Sequence, residues 1–297
     1  MSGARAAWAG YWEGDPAAQS GAALANLAPE LRDRLDAPWR ALAAALPPKA
    51  RVLDLATGGG VVLGLLQAER RDLNLIGVDA AARLPARPGM SLRGGITTDA
   101  LPFREASFDA VTSRFGIEYG PLSSGGAEAG RVLAPGGALC LVIHHHRSKV
   151  LGHNRARRTA LHWAAYESGW IGKALSFARG RLVLPMPTPP GFRSAAAEGA
   201  TRYPDQPVAW EFLTGLAQVL ELAPPREGEA MIGQLLARAA DELSRLDALA
   251  AAACDEARLA ELASGLEGAG LRLDPVETID EPDGVPLAWL VEGRKPE

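Results

Sequence analysis

The residues Ala56-Thr57-Gly58-Gly59-Gly60 are the types and spacing best suited to holding a ligand. They follow a short apolar run, Val52, Leu53 and Leu55, which predicts a buried strand with Asp54 near its end. Val61 to Glu69 then predicts an apolar helix. In a strand, tight turn and helix of this kind, missing Cβ atoms let a ligand approach the backbone. The first free N–H groups of the helix face the same space. A second apolar strand, Leu73 to Val78, ends in Asp79, about 20 residues past the glycines, where a βαβ unit places a carboxylate for ribose hydroxyls. The glycine spacing is not the nicotinamide pattern G-x-G-x-x-G, because Ala56, Gly58 and Gly60 fall on alternate positions.

The histidines form a second candidate cluster. All five lie between positions 144 and 162. His144, His145 and His146 close an apolar strand predicted over Ala138 to Ile143. Alternation puts His144 and His146 on one face and His145 on the other. Imidazole titrates near neutrality and suits a general base. A metal held by His144 and His146 lacks a carboxylate or Cys at helpful spacing for a third ligand. The remaining reading is polar residues at a strand end and loop. Arg147, Lys149, Arg155, Arg157 and Arg158 accompany them with no acid from 144 to 158. Such a run is read either as a solvated helix face or as a site for an anionic substrate.

Five motifs in order carry a resemblance. V-L-D-L-A-T-G-G-G at Val52 to Gly60 resembles the first motif of class I S-adenosylmethionine-dependent methyltransferases of the type 11-like family. Gly77 to Ala81 (G-V-D-A-A) resembles the second motif. Leu101-Pro102-Phe103 and Ser107 to Val111 resemble the third and fourth, and Arg131 to Leu139 resembles the turn before the fifth strand. Ala269-Gly270-Leu271 followed by two strands resembles the end of that fold.

The resemblance implies S-adenosyl-L-methionine as cofactor. It places Asp54, Ala56, Thr57, Gly58, Gly60, Asp79, Ala80, Thr98, Asp99 and Ser113 around it. The loop at Gly58 to Gly60 would hold the methionine portion and Asp79 the ribose. The family's adenine-binding acid falls at Thr97 by alignment, with Asp99 two residues late. Arg114 to Tyr119 would line the methyl-transfer pocket, with Arg114 and Glu118 serving either as substrate contacts or as an ion pair. His144 is the candidate general base, and no metal is assigned. The fourth motif lacks N-P-P-Y, D-P-P-Y and a Pro-Cys nucleophile, so methylation of amino bases or of cytosine C5 is not favoured.

These residues need a scaffold, and the composition supplies one. The 297 residues are 47% hydrophobic, ample for a sizeable core. The expected fold is α/β, with a Rossmann-like seven-stranded, mostly parallel sheet whose last strand is antiparallel. An N-terminal helical cap (1–48) carries Trp8, Tyr11 and Trp12, then Leu24, Leu27, Leu31, Leu35, Trp39, Leu42 and Leu46 at helical spacing. The cofactor-binding core is 49–150 with 255–297. A helical insertion, 151–254, is a candidate substrate lid. It has helical patterns at Arg155 to Gly169, Val208 to Leu222 and Glu229 to Cys254, and a breaker-rich loop at Leu184 to Gly191.

The net charge of −4 argues against a general nucleic-acid binder. The two cysteines, Cys140 and Cys254, suggest small core hydrophobes and no disulfide framework. No signal-peptide pattern or bilayer-length apolar run is present, so the expected location is cytoplasmic, without membrane partners. The implied function is methyl transfer to a small-molecule acceptor. The alternatives are an RNA methyltransferase using the basic run and a non-catalytic methyltransferase-like scaffold.

Overall fold

A computed structural model describes residues 28–184 and 186–297. Trp8, Tyr11, Trp12, Leu24 and Leu27, and with them most of the expected cap, lie outside the described residues. The chain divides into two compact units. One runs to Leu151 and resumes over Leu249–Glu297; the other is Gly152–Ala248.

The first unit begins with helix α1 (Pro29–Ala45). Strand β1 (Arg51–Leu55), helix α2 (Val61–Glu69) and strand β2 (Asn74–Val78) follow. Next come β3 (Met90–Arg93), β4 (Phe108–Arg114), a one-turn 3₁₀ helix (Ile117–Tyr119), α3 (Leu122–Val132) and β5 (Leu133–His144). Helices α4 (Lys149–His162), α5 (Trp170–Arg181), α6 (Gly191–Arg202), α7 (Val208–Leu222), α8 (Gly228–Ala252) and α9 (Glu256–Gly268) lead to β6 (Arg272–Leu273), β7 (Glu277–Asp280) and β8 (Pro286–Arg294).

The sheet order is β3-β2-β1-β4-β5-β8-β6, with β7 also on β8. Strands β1 to β5 are parallel, and β8 runs antiparallel to β5. This is the expected α/β sheet with an antiparallel last strand, but among the described residues it has eight strands where the sequence predicts seven. The sixth is split at Asp274-Pro275. Pro275 has no N–H to give the ladder, and the register against β8 moves by one residue between Leu273–Gly293 and Glu277–Leu290.

The core shows why the central strands read as continuous apolar runs. Covered on both faces, they alternate inward to two different clusters. Val52, Ala110, Cys140 and Val142 pack with Trp39, Leu42, Leu63 and Leu66 of α1 and α2. Leu53, Val111, Leu139 and Leu141 pack with Leu122, Leu262 and Leu266 of α3 and α9. Order reverses between β1 and β4, so a crevice opens beyond their carboxyl ends, where ligands of open α/β sheets bind.

Other boundaries differ from the sequence reading. The sequence also predicts a third strand from Met90 through Ile96, but β3 stops at Arg93 because Gly94-Gly95 turns the chain, with Gly95 at φ +75°. Cys254 lies beyond the end of α8, in an isolated bridge to His145, not in a helix. Both cysteines are free and buried.

The second unit is helical. Trp163, Phe212, Leu213 and Leu243 form one apolar cluster, and Phe192, Leu216, Leu220 and Ile232 another. Helices α5 and α6 are additions that the apolar pattern does not predict. Among the described residues no helix is long and apolar enough to cross a membrane.

Candidate functional site

The turn after β1 is built from residues that tolerate left-handed backbone. Ala56, Gly58 and Gly60 have φ of +51°, +49° and +75°. Thr57 N–H donates to Val78 O (2.9 Å), which docks the turn on β2. No side chain caps α2. Its first-turn N–H groups therefore lie open beside the turn, as an anion-binding helix start requires.

Asp79 closes the other side. One carboxylate oxygen accepts the Gly58 N–H (2.9 Å) and the other the Ala81 N–H (2.8 Å). A carboxylate has about four acceptor positions, so each oxygen retains capacity for a hydroxyl. Burial raises the Asp79 pKa, opposed by the N–H groups of Ala81 and Gly58. Asp54 is buried outright, and Thr112 Oγ1 donates to it (2.9 Å). Desolvation pushes its pKa up to about 7; the hydroxyls of Thr57 and Thr112 and the Arg114 charge oppose this, and Asp79 adds to it.

The turn after β4 packs directly on this cradle. A Cβ on Gly116 would stand 2.6 Å from the Ala56 Cβ, so only glycine permits the contact. Ser113 Oγ donates to Leu55 O (2.8 Å) and accepts the Ile117 N–H (3.0 Å), which joins β1, β4 and the 3₁₀ turn. Thr98 is buried against Gly120 of that turn. Asp99 is exposed, as is Ala80. The site residues expected from the sequence thus gather at one end of the sheet, with Asp99 and Ala80 on its outer edge.

Two features were not legible in the sequence. Arg114 and Glu118 do not pair with each other. Arg114 reaches Asp36 of α1 (3.0 Å) in a nearly buried ion pair. Glu118 is wholly buried and its Oε1 contacts His144 Nδ1 (2.7 Å). The sequence left them as substrate contacts or as an ion pair with each other; the partners lie 78 and 26 residues away, beyond any local signal.

The other histidines separate. His145 is buried, accepts the Arg147 N–H at Nδ1 (3.0 Å) and lies against the Trp289 ring (4.3 Å). Desolvation lowers its pKa. His146 Nδ1 contacts Cys254 O (3.3 Å), and His162 pairs with Glu167 (2.9 Å). Among the described residues no group of three His, Cys, Asp or Glu is placed to hold a metal ion. Much of the basic run is paired: Lys149 with Glu281 and Asp283, Arg157 with Glu242, and Arg158 with Asp247.

Residues 53–141 match the family described as "Methyltransferase domain". Demethylmenaquinone methyltransferases of Deinococcus radiodurans and Thermus thermophilus are 36% and 37% identical to the chain, each over 121 residues. Those alignments take in 36% of this chain and 50% and 54% of the relatives. The chain thus spans about half the length of the curated relatives it matches. A solved S-adenosylmethionine-dependent methyltransferase of Mesorhizobium loti overlaps 87% of this chain and 97% of that one. Its identity is 16% and its TM-score 0.43.

Proposed function

We propose, on the premise that residues 53–141 form a class I methyltransferase domain, that the protein transfers a methyl group to a small organic acceptor. Such a domain implies S-adenosyl-L-methionine as cofactor, and the residues present fit it. The observation that carries the reading is the Asp79 carboxylate, tied by backbone N–H groups to the glycine turn while keeping acceptor capacity on both oxygens.

When bound, the cofactor supplies a methyl group on a sulfonium, an activated leaving group. The chain's part is to bind and orient. The Gly58 to Gly60 turn and the α2 amides hold the methionine carboxylate, and Asp79 holds the ribose. Asp54 orders the turn from below, and Ser113 fixes the floor shared by β1 and β4. Thr98, Asp99 and Ala80 border the adenine side. His144, at the carboxyl end of β5, faces the acceptor side. Catalysis then rests on an in-line, near-attack geometry.

The relatives named demethylmenaquinone methyltransferases support a small-molecule acceptor. The pairing of Arg157 and Arg158 with acids of α8 weakens the reading of the basic run as an RNA-binding face. The test is calorimetric titration with S-adenosylhomocysteine on the wild type and Asp79→Ala. Micromolar binding that the variant loses supports the proposal. No binding to folded wild type refutes it and leaves a non-catalytic scaffold.

A further inference from the structure

We infer, resting on that reading, that Glu118 is a positioning residue which fixes His144 as the proton acceptor, and that the methyl acceptor is an aromatic hydroxyl. Glu118 Oε1 receives the His144 backbone N–H (3.0 Å) as well as the ring contact at Nδ1 (2.7 Å). A carboxylate only accepts, so the ring contact is Nδ1–H···O. That tautomer leaves Nε2 with its lone pair, and no hydrogen bond to Nε2 forms among the described residues. The ring keeps 16% exposure while the carboxylate behind it has none. Glu118 is itself held: its carbonyl accepts from Arg258 Nη2 (3.2 Å), and its turn is anchored through Ile117 N–H to Ser113.

A histidine at a strand end needs no such support. Burying a carboxylate is costly unless its hydrogen bonds are complete, and among the described residues Glu118 Oε2 has no hydrogen-bond partner. The cost is understandable if the carboxylate orients a base, the arrangement in which an imidazole is held by a third group. Backbone strain marks the same place. Phe115 sits at φ +55°, a region bulky residues avoid, and strained positions cluster at functional sites. Its ring lies 4.3 Å from the His144 ring at 33°, and Tyr119 meets that ring edge-on at 6.0 Å.

The chemistry selects the acceptor. A neutral amine attacks with its own lone pair, and a thiol of pKa about 8.5 ionises readily, whereas a phenol of pKa about 10 needs a base at neutral pH. In the step, the acceptor O–H bond breaks and its proton passes to His144 Nε2. The freed oxygen pair forms the O–CH₃ bond as the S–CH₃ pair returns to sulfur. The imidazolium left behind is held by the Glu118 carboxylate until its proton passes to solvent.

The test has two readouts. Nitrogen-15 NMR of the histidine rings in the apo protein, assigned with His144→Gln, should show His144 as Nδ1–H alone in the wild type. It should show a mixture of tautomers in Glu118→Ala. Glu118→Gln, whose amide oxygen still accepts, should restore the single tautomer and serves if Glu118→Ala does not fold. Visible absorbance of 4-nitrophenol added to the protein with S-adenosylhomocysteine should show increased phenolate in the wild type. That increase should fall about tenfold or more in Glu118→Ala, with S-adenosylhomocysteine affinity kept. A single Nδ1–H tautomer in folded Glu118→Ala, or in Glu118→Gln an unchanged phenolate signal with a lost tautomer preference, overturns the role of Glu118. Absence of 4-nitrophenol binding or ionisation in the wild type overturns the hydroxyl assignment. Failure of wild type to bind S-adenosylhomocysteine overturns the proposed function instead, and the tautomer measurement stands apart from it.

Discussion

Replacing Asp54 by asparagine should change how stability depends on pH. Asp54 is buried, and desolvation raises its pKa from the usual carboxylate value of 3.8 to about 7. In the unfolded chain it releases its proton near 4; in the folded protein it holds on until about 7. The folded state therefore binds more protons across that window. Stability from this group is full below pH 4 and is lost as pH rises toward and through 7. A shift of about three units at 1.36 kcal/mol per unit amounts to about 4 kcal/mol. The asparagine side chain cannot titrate, and its amide oxygen still accepts from Thr112. Any fixed offset from its extra N–H groups is independent of pH. Urea unfolding of wild type and Asp54→Asn at pH 4 to 8, without cofactor, should show the gap moving in favour of the variant by about 4 kcal/mol. Part of the change will pass through Asp79, whose charge raises Asp54. A gap that stays flat, or moves the other way, would refute the burial argument.

Other outcomes follow from the same contacts. Asp79→Ala should weaken S-adenosylhomocysteine binding about a hundredfold or more, the loss of two charge-assisted hydrogen bonds of about 1.5–3 kcal/mol each, read by calorimetry. Gly116→Val, which drives a side chain into Ala56, should cost about 1–3 kcal/mol in urea unfolding and weaken the same ligand. Arg114→Ala should cost about 3 kcal/mol because it strands Asp36, and Arg114→Leu with Asp36→Leu should recover most of it. A fluorescent RNA should bind weakly at best, since acids already neutralise Arg157 and Arg158; tight binding that falls steeply with salt would count against the small-molecule reading.

The sequence by itself determined the glycine cradle of the proposed cofactor site. The β1 strand, the small-residue turn, α2 and the acid after β2 are contiguous, so the requirement for a close backbone approach is written locally in Gly58, Gly60 and Asp79. The apolar runs marked strands buried on both faces, and the family resemblance implied their parallel order. The split of the sixth strand was present in Pro275, but read as one continuous strand.

Only the tertiary structure decided the charge pairings around the proposed acceptor side. His144 was visible as a candidate base, but its partner Glu118 lies in a turn after another strand, and both side chains meet because β4 and β5 are neighbours in the sheet. Arg114 was equally ambiguous until α1 brought Asp36 to it. The basic run looked like a binding surface because the acids of Arg157 and Arg158 come from a helix more than eighty residues on, and those of Lys149 from a turn farther still. Backbone conformation is specified by neighbouring residues, and so it reads from sequence. Charge pairing is specified by packing, which brings distant segments together, and so it does not.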